Sequence, residues 1–138
     1  MPGTARRRRA GARDRGASSV EFVAYTPVLM LVIFLTVQFA LTWHGTQVAG
    51  AVAREAGRVA RAGGGTPEAI AEAETRGVEY AEAIGGNALT DVDIEIASAS
   101  DEEITVTVTG RSVEIVPGFA PRVHVSVQGP VEIFRPDV

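Results

Sequence analysis

An acidic residue stands at the edge of the most apolar part of this 138-residue sequence. Residues 22–43 carry no formal charge, and Glu21 comes directly before them. A lone carboxylate is costly to bury in hydrocarbon, by about 3 kcal/mol at the centre of a bilayer and less at its edge. Ion pairing with a cationic partner is therefore the chemistry that Glu21 is best placed to perform. The alternative is a carboxylate that simply reaches the headgroup level.

Few other residues in the sequence are suited to chemistry. Cysteine is absent, and His44 and His124 are the two histidines. We interpret His44 as interfacial and His124 as a surface residue of a strand. The acidic residues between positions 91 and 103 lack the spacing of a calcium-binding loop. No nucleophile–base arrangement, phosphate loop or metal spacing is recognisable, so the sequence predicts no enzyme, no metal site and no cofactor.

The apolar run predicts a membrane-spanning helix. Residues 22–43 would extend about 33 Å as a helix, close to the thickness of the hydrocarbon core. Twelve of these residues are Leu, Ile, Val or Phe, and together they favour insertion by roughly 4 to 7 kcal/mol. A buried core helix is the alternative, but the remaining chain is too short to surround it.

Arginines on one side of the apolar run predict its orientation. Residues 1–16 contain six arginines and one aspartate, whereas residues 44–53 carry no formal charge. The positive-inside rule places residues 1–16 in the cytoplasm and the C-terminal part outside. An arginine-rich run can also bind nucleic acid or direct twin-arginine export. Because no other basic or aromatic surface and no typical cleavage site supports these alternatives, we predict a single-pass plasma-membrane protein that contacts the lipid bilayer and no nucleic acid.

The sequence around Glu21 resembles two related groups of proteins. Residues 15–22, Arg-Gly-Ala-Ser-Ser-Val-Glu-Phe, are similar to the signal peptide of type IV pilin-like proteins, in which a glutamate is fifth after the cleavage site. The closer resemblance is to the TadE-like family of tight-adherence (Flp) pilus assembly systems. It also rests on Pro27 in the first third of the span and on residues 53–58, Ala-Arg-Glu-Ala-Gly-Arg. Many members carry a second acid near the end of the span, where this chain has Gln38.

This resemblance implies how the chain is processed and which proteins it meets. A prepilin peptidase would cut between Gly16 and Ala17 and remove the basic leader. The new α-amine of Ala17 would lie one helical turn from Glu21, in the same chain or a neighbouring subunit, so that each charge lowers the burial cost of the other. The implied partners are the peptidase, other pilins or pseudopilins, and inner-membrane pilus assembly proteins. The charged residues of the second family motif are Arg54, Glu55 and Arg58.

The first helix is expected to continue beyond the bilayer to about residue 62. Small residues recur there every four positions, which would form a smooth ridge for another helix to approach. The alternative is that glycine and alanine are frequent through genome composition. The predicted packing residues are Pro27, Gly45, Ala49, Ala53 and Gly57. We therefore predict a leader at residues 1–16, a transmembrane and extended helix at 17–62 and an extracytoplasmic head at 63–138.

A second helix is predicted at the start of this head. Thr66, Pro67 and Glu68 are typical of a helix beginning, and the helix is expected to end near Ile84, before a pair of glycines. The hydrophobic period then changes to two, which indicates short strands. These strands are expected at residues 92–96, 104–109, 113–115 and 123–127, the last with an extension through 131–134. The predicted fold class is α+β, with a long helix, a second helix and a small antiparallel sheet on a pilin-like plan.

The combined pattern predicts a TadE-like pseudopilin or minor pilin. It would act in the assembly of a tight-adherence type IV pilus, and through the pilus in cell adhesion, from the plasma membrane or within the filament. The alternative is a single-pass membrane protein that is never processed and displays a small extracellular interaction domain. The two predictions differ at Gly16 and Glu21, because only the pseudopilin requires both.

Overall fold

Two helices and three strands make up the part of the chain that the structure, a computed structural model, describes: residues 14–100 and 103–131. The elements are α1 (Asp14–Ala62), α2 (Pro67–Gly85), β1 (Leu89–Ser100), β2 (Glu103–Ser112) and β3 (Arg122–Pro130). This order confirms the predicted α+β fold, a long apolar helix followed by a second helix and an antiparallel sheet. Residues 1–13 of the predicted leader and 132–134 of the predicted strand extension lie outside the described residues.

The chain divides into two compact units, and the 49-residue helix α1 begins in the first and ends in the second. The first unit ends at Thr36 and the second begins at Val37. Within the first unit, every side chain from Glu21 onward is exposed. This exposed apolar surface, which includes large side chains such as Phe22 and Phe34, is consistent with a helix that crosses a membrane.

Two threonine hydroxyls in the first unit are satisfied within the helix itself. The hydroxyl of Thr26 donates to the carbonyl oxygen of Phe22 at 2.7 Å, and that of Thr36 donates to Val32 at 2.8 Å. Pro27 lies inside the helix and lacks an N–H group of its own. Hydroxyls bonded to carbonyls one turn earlier add little polar surface to the helix, which suits an apolar solvent.

The second helix begins and ends as the sequence predicts. The side-chain oxygen of Thr66 accepts a hydrogen bond from the backbone N–H of Ala69 at 3.3 Å, and Pro67 takes the first helical position. Gly86 follows the helix with φ of 49°, a left-handed conformation that glycine adopts without strain. One face of the helix is buried and consists of Ala69, Ala73, Gly77 and Ala81.

The sheet is an antiparallel meander in the order β1-β2-β3. In the central strand β2, inward-facing Ile104, Val106 and Val108 are fully buried and alternate with half-buried threonines. Val106 lies opposite Ile96 of β1 and Val127 of β3. The period of two in the sequence therefore separates a core face from a more polar face.

The core forms where α1, α2 and the sheet approach closely. A Cβ atom at Gly77 of α2 would lie 2.5 Å from Cδ1 of Ile94 and 3.3 Å from Cβ of Ala56. Only a residue without a side chain allows the three elements to come this close. The second half of α1 thus packs inside the second unit, with Val48, Val52 and Ala60 among its buried residues.

The strand predicted at residues 113–115 is wrong. β2 ends at Ser112, and residues 113–121 form a loop to β3, which we call the β2–β3 loop. Val113 and Ile115 have strand-like spacing, but their backbone groups bond to the side chain of Gln38 instead of to another strand. This hydrogen bonding to α1 explains why the apolar alternation does not extend the sheet.

Candidate functional site

Glu21 is an exposed acid in the first unit. Gly16 and Ala17 lie in the same helix α1, and Glu21 follows Ala17 by four residues, which corresponds to about 6 Å along a helix axis. Among the residues described, Glu21 takes part in no salt bridge. The predicted pairing of its carboxylate with the α-amine of Ala17 stays a prediction.

The ridge of small residues lies in the second unit and is buried. Ala49 and Ala53 have no exposed surface. A Cβ atom at Gly45 would come within 3.1 Å of the carbonyl oxygen of Ala88, and one at Gly57 within 3.4 Å of Val106. The chain's own sheet, together with Ala88 just before β1, thus covers both ends of this ridge. Packing of a helix from another subunit against it stays a prediction.

The second family motif forms an ion pair on the surface of α1. The guanidinium group of Arg58 donates two hydrogen bonds to the Glu55 carboxylate, at 2.6 Å and 2.9 Å. The third motif residue, Arg54, lies over Gly50, with its Nη1 atom 3.4 Å from where a Cβ of Gly50 would be. The motif residues therefore face away from the core and hold their charges at the surface.

The ion pair makes Glu55 more acidic than an ordinary glutamate. The hydrogen bond from Arg58 lowers the pKa of Glu55, with smaller Coulombic contributions from Arg58 and Arg76, while partial burial opposes the change. Because the folded pKa lies below the unfolded one, the pair adds stability above the ordinary pKa of a carboxyl, and this stability is lost as the pH falls through the lowered value.

Replacing Arg58 with glutamine is expected to raise the titration midpoint of Glu55 towards that of an ordinary glutamate. An NMR titration of the Glu55 side-chain carboxyl carbon measures this midpoint. Arg76→Gln is the matched comparison, because Arg76 makes a smaller contribution and its removal should move the midpoint less. An unchanged midpoint in Arg58→Gln would contradict the assignment of the pKa shift to this pair.

Gln38 is a buried polar residue that ties the β2–β3 loop to α1. It is 1% exposed. Its Nε2 donates to the carbonyl oxygen of Val113 at 2.8 Å, and its Oε1 accepts from the N–H groups of Ile115 at 2.9 Å and Val116 at 3.4 Å. One turn later, the hydroxyls of Thr42 and Ser112 lie 3.3 Å apart. An amide both donates and accepts, so a single side chain satisfies several backbone groups of the loop.

In the sequence, Gln38 stands out only as a departure from the family pattern, and its role in holding the loop was not predicted. The available signal was a primary amide inside an apolar run, because such a group needs hydrogen-bond partners wherever it is buried. The partners themselves are 75 to 78 residues away along the chain. No local pattern identifies contacts at that separation.

A tight turn at the tip of the β2–β3 loop presents apolar side chains. The N–H of Phe119 donates to the carbonyl of Val116 at 2.9 Å, and Gly118 has φ of 82°. Proline followed by a glycine with positive φ is typical of a type II turn. The carboxylate of Glu114 accepts the N–H of Gly118. Ile115 and Phe119 remain 40% and 54% exposed, so the turn is well bonded but its large apolar groups are not buried.

Most of α1 is similar to a known protein family. Residues 16–58 match the model of the TadE-like protein. This match confirms the resemblance predicted from the sequence. It begins at Gly16, includes Glu21 and Gln38, and ends at Arg58 of the second motif. No curated protein and no solved structure matches the chain.

The TadE-like match suggests a protein related to the minor pilins of tight-adherence pili. The structure adds one helix, Glu21–Ala62, that is long and apolar enough to cross a membrane by length and composition. Together they are consistent with a single-pass membrane protein in a pilus-assembly context. Among the described residues, no group of three His, Cys, Asp or Glu side chains is arranged to hold a metal ion.

Proposed function

We propose that this chain is a TadE-like pseudopilin that is processed by a prepilin peptidase after Gly16 and then acts in the assembly of a tight-adherence pilus. The observation that carries the proposal is the TadE-like match, which starts at Gly16 and includes Glu21. Glycine before the cut has no side chain to obstruct an intramembrane protease. The residues that precede it hold six arginines, and these would keep the N-terminus on the cytoplasmic side until cleavage.

Cleavage changes the charge of the N-terminus from strongly basic to nearly neutral. It removes the arginines and creates an α-amine on Ala17, about one helical turn from Glu21. Pairing of the amine with the carboxylate lowers the cost of keeping both near hydrocarbon. In this proposal, Glu21 of one subunit pairs with Ala17 of the same or a neighbouring subunit, and the second unit lies outside the cytoplasm and meets other pilins or assembly proteins.

N-terminal sequencing and intact mass of the membrane-extracted protein test the processing step. In cells with the peptidase we expect the protein to begin at Ala17, and in cells without it at Met1 or Pro2. Replacing Gly16 with phenylalanine should block cleavage by filling the protease subsite. Gly11→Phe makes the same change within the leader and should leave cleavage intact.

A start at Met1 or Pro2 in both strains would contradict the proposal. The chain would then be an unprocessed single-pass protein that displays a small interaction domain. Its apolar helix and its second unit would be unaffected by that outcome, so membrane extraction would still be required to recover it.

A further inference from the structure

We propose that the β2–β3 loop is a membrane anchor, in which Ile115 and Phe119 insert into the interface of a phospholipid bilayer. This inference rests on the single membrane span of the proposed function, and goes beyond it by assigning a lipid contact to the second unit. It also makes Gln38 the residue that fixes the loop at the level of the bilayer surface.

The β2–β3 loop contacts α1 closer to its N-terminus than the ends of the strands do. Gly45 lies beside the ends of the strands, where an added Cβ would approach Ser112 at 3.6 Å and Val123 at 3.7 Å. The loop continues from there to Gln38, seven residues earlier, which is about 10 Å along the helix axis. The loop therefore contacts α1 next to Val37, the residue at which the second unit begins.

The hydrogen bonds to Gln38 set the depth of the loop. Gln38 belongs to the uncharged run of residues 22–43, so a bilayer crossed by that run has its outer boundary near this residue or beyond it. Backbone groups bonded directly to Gln38 must lie at the same level. The backbone N–H of Ile115 donates to Gln38 at 2.9 Å, which puts this residue at the outer boundary of the bilayer or just inside it.

The backbone of the loop tip is suited to such an environment. The N–H groups of Ile115 and Val116 bond to Gln38, that of Gly118 bonds to Glu114, and that of Phe119 bonds to Val116. Pro117 has no N–H to satisfy. A segment can enter a region poor in water only if its backbone donors are bonded internally.

Aromatic and cationic side chains near the loop are of the kinds found at a bilayer interface. Phe39 and Trp43 of α1 are 70% and 61% exposed, and aromatic rings are favoured at headgroup level. At the base of the loop, the exposed residues Arg111 and Arg122 face each other as cross-strand partners. Like charges in that position repel unless an anion lies between or beside them. Lipid phosphates would supply the anion, in addition to Asp91, which is 3.7 Å from Arg111.

Fluorescence quenching by brominated lipids tests the anchor. Trp43 is the single tryptophan of the chain, so the double variant Trp43→Phe, Phe119→Trp reports on the loop alone. The full chain is reconstituted at a high lipid ratio in phosphatidylcholine–phosphatidylglycerol vesicles with bromine near the headgroup end of the acyl chains. We expect position 119 to lose emission to an extent comparable with Trp43 in the unmodified chain.

A tryptophan placed far from the loop is the matched control. Trp43→Phe with Glu68→Trp places the probe at the start of α2, and we expect no quenching there. If Trp43 is quenched but position 119 is not, the anchor is wrong while the membrane span stands, as would occur if another subunit covered the loop. Equal quenching at positions 68 and 119 would also overturn the anchor. If Trp43 itself is unquenched, the membrane span of the proposed function fails.

Discussion

Replacing Glu21 with glutamine is expected to abolish pilus assembly while leaving membrane insertion and cleavage after Gly16 intact. Glutamine keeps the size and hydrogen-bonding capacity of the side chain but removes its charge. The α-amine of Ala17 would then enter an apolar environment without a counter-ion, which costs several kcal/mol for a buried ion. Since each added subunit would bear this cost, the loss in filament growth should be close to complete.

Counting pili by electron microscopy, together with N-terminal sequencing of the membrane fraction, measures both parts of this result. Glu68→Gln is the matched control, because it makes the same change at an exposed position of α2 and should leave assembly unchanged. Glu21→Asp retains the charge on a shorter side chain and should restore part of the assembly. Normal pili in the Glu21→Gln strain would rule out charge pairing as the role of this residue.

Replacing Gln38 with leucine is expected to release the β2–β3 loop and to destabilise the second unit by about 2 kcal/mol. Leucine fills a similar volume but leaves the carbonyl of Val113 and the N–H groups of Ile115 and Val116 without their partner. Buried groups left without hydrogen bonds cost about 1–3 kcal/mol each. Because the loop can move and regain water for most of these groups, we expect less than the summed cost.

Amide hydrogen exchange of the full chain in lipid nanodiscs gives a local measurement of this effect. The amides of Ile115 and Val116 should be protected in the unmodified chain and exchange much faster in Gln38→Leu. Gln47→Leu is the matched control, since Gln47 is an exposed residue of the same helix. Gln38→Glu keeps the acceptor for Ile115 but loses the donor to Val113, so it should fall between the two. Unchanged protection in Gln38→Leu would refute the role of Gln38.

Local patterns predicted most of the fold because local forces determine it. The N-cap at Thr66, the proline after it and the glycine pair at the other end define α2 within one stretch of chain. The alternation of Ile104, Val106 and Val108 needs only the pleat of a strand to become one face of a sheet. These features involve neighbours in sequence, so a single chain without a structure is sufficient to recognise them.

Contacts between distant segments were harder to predict. Val113 and Ile115 have the spacing of a strand, and nothing nearby reveals that a glutamine 75 residues earlier takes their backbone groups. The ridge from Gly45 to Gly57 was predicted from its spacing, but spacing does not determine its partner. A smooth ridge accepts either a helix or the valine-rich face of a sheet, and in this chain the sheet covers it.

In the candidate site too, features formed by neighbours in sequence were recognisable, and a feature formed by distant segments was not. The resemblance around Glu21 was recognisable because its motifs are contiguous, and the TadE-like match covers the same residues. The pair of Glu55 and Arg58 joins residues three apart on a helix, but in the sequence they were recognised only as motif residues. The role of Gln38 depends on the loop that folds back to it, which is why the sequence offered only an isolated polar residue.

The order of the strands has a consequence for how the second unit forms. Each strand pairs with its neighbour in sequence, so hairpins can close over short loops at small entropic cost. The bonds from the β2–β3 loop to Gln38 join residues 75 to 78 positions apart, and they can form only once the hairpins dock on α1. We therefore expect this closure to follow the formation of the hairpins, and until it is complete we expect the loop to be the segment most open to proteases.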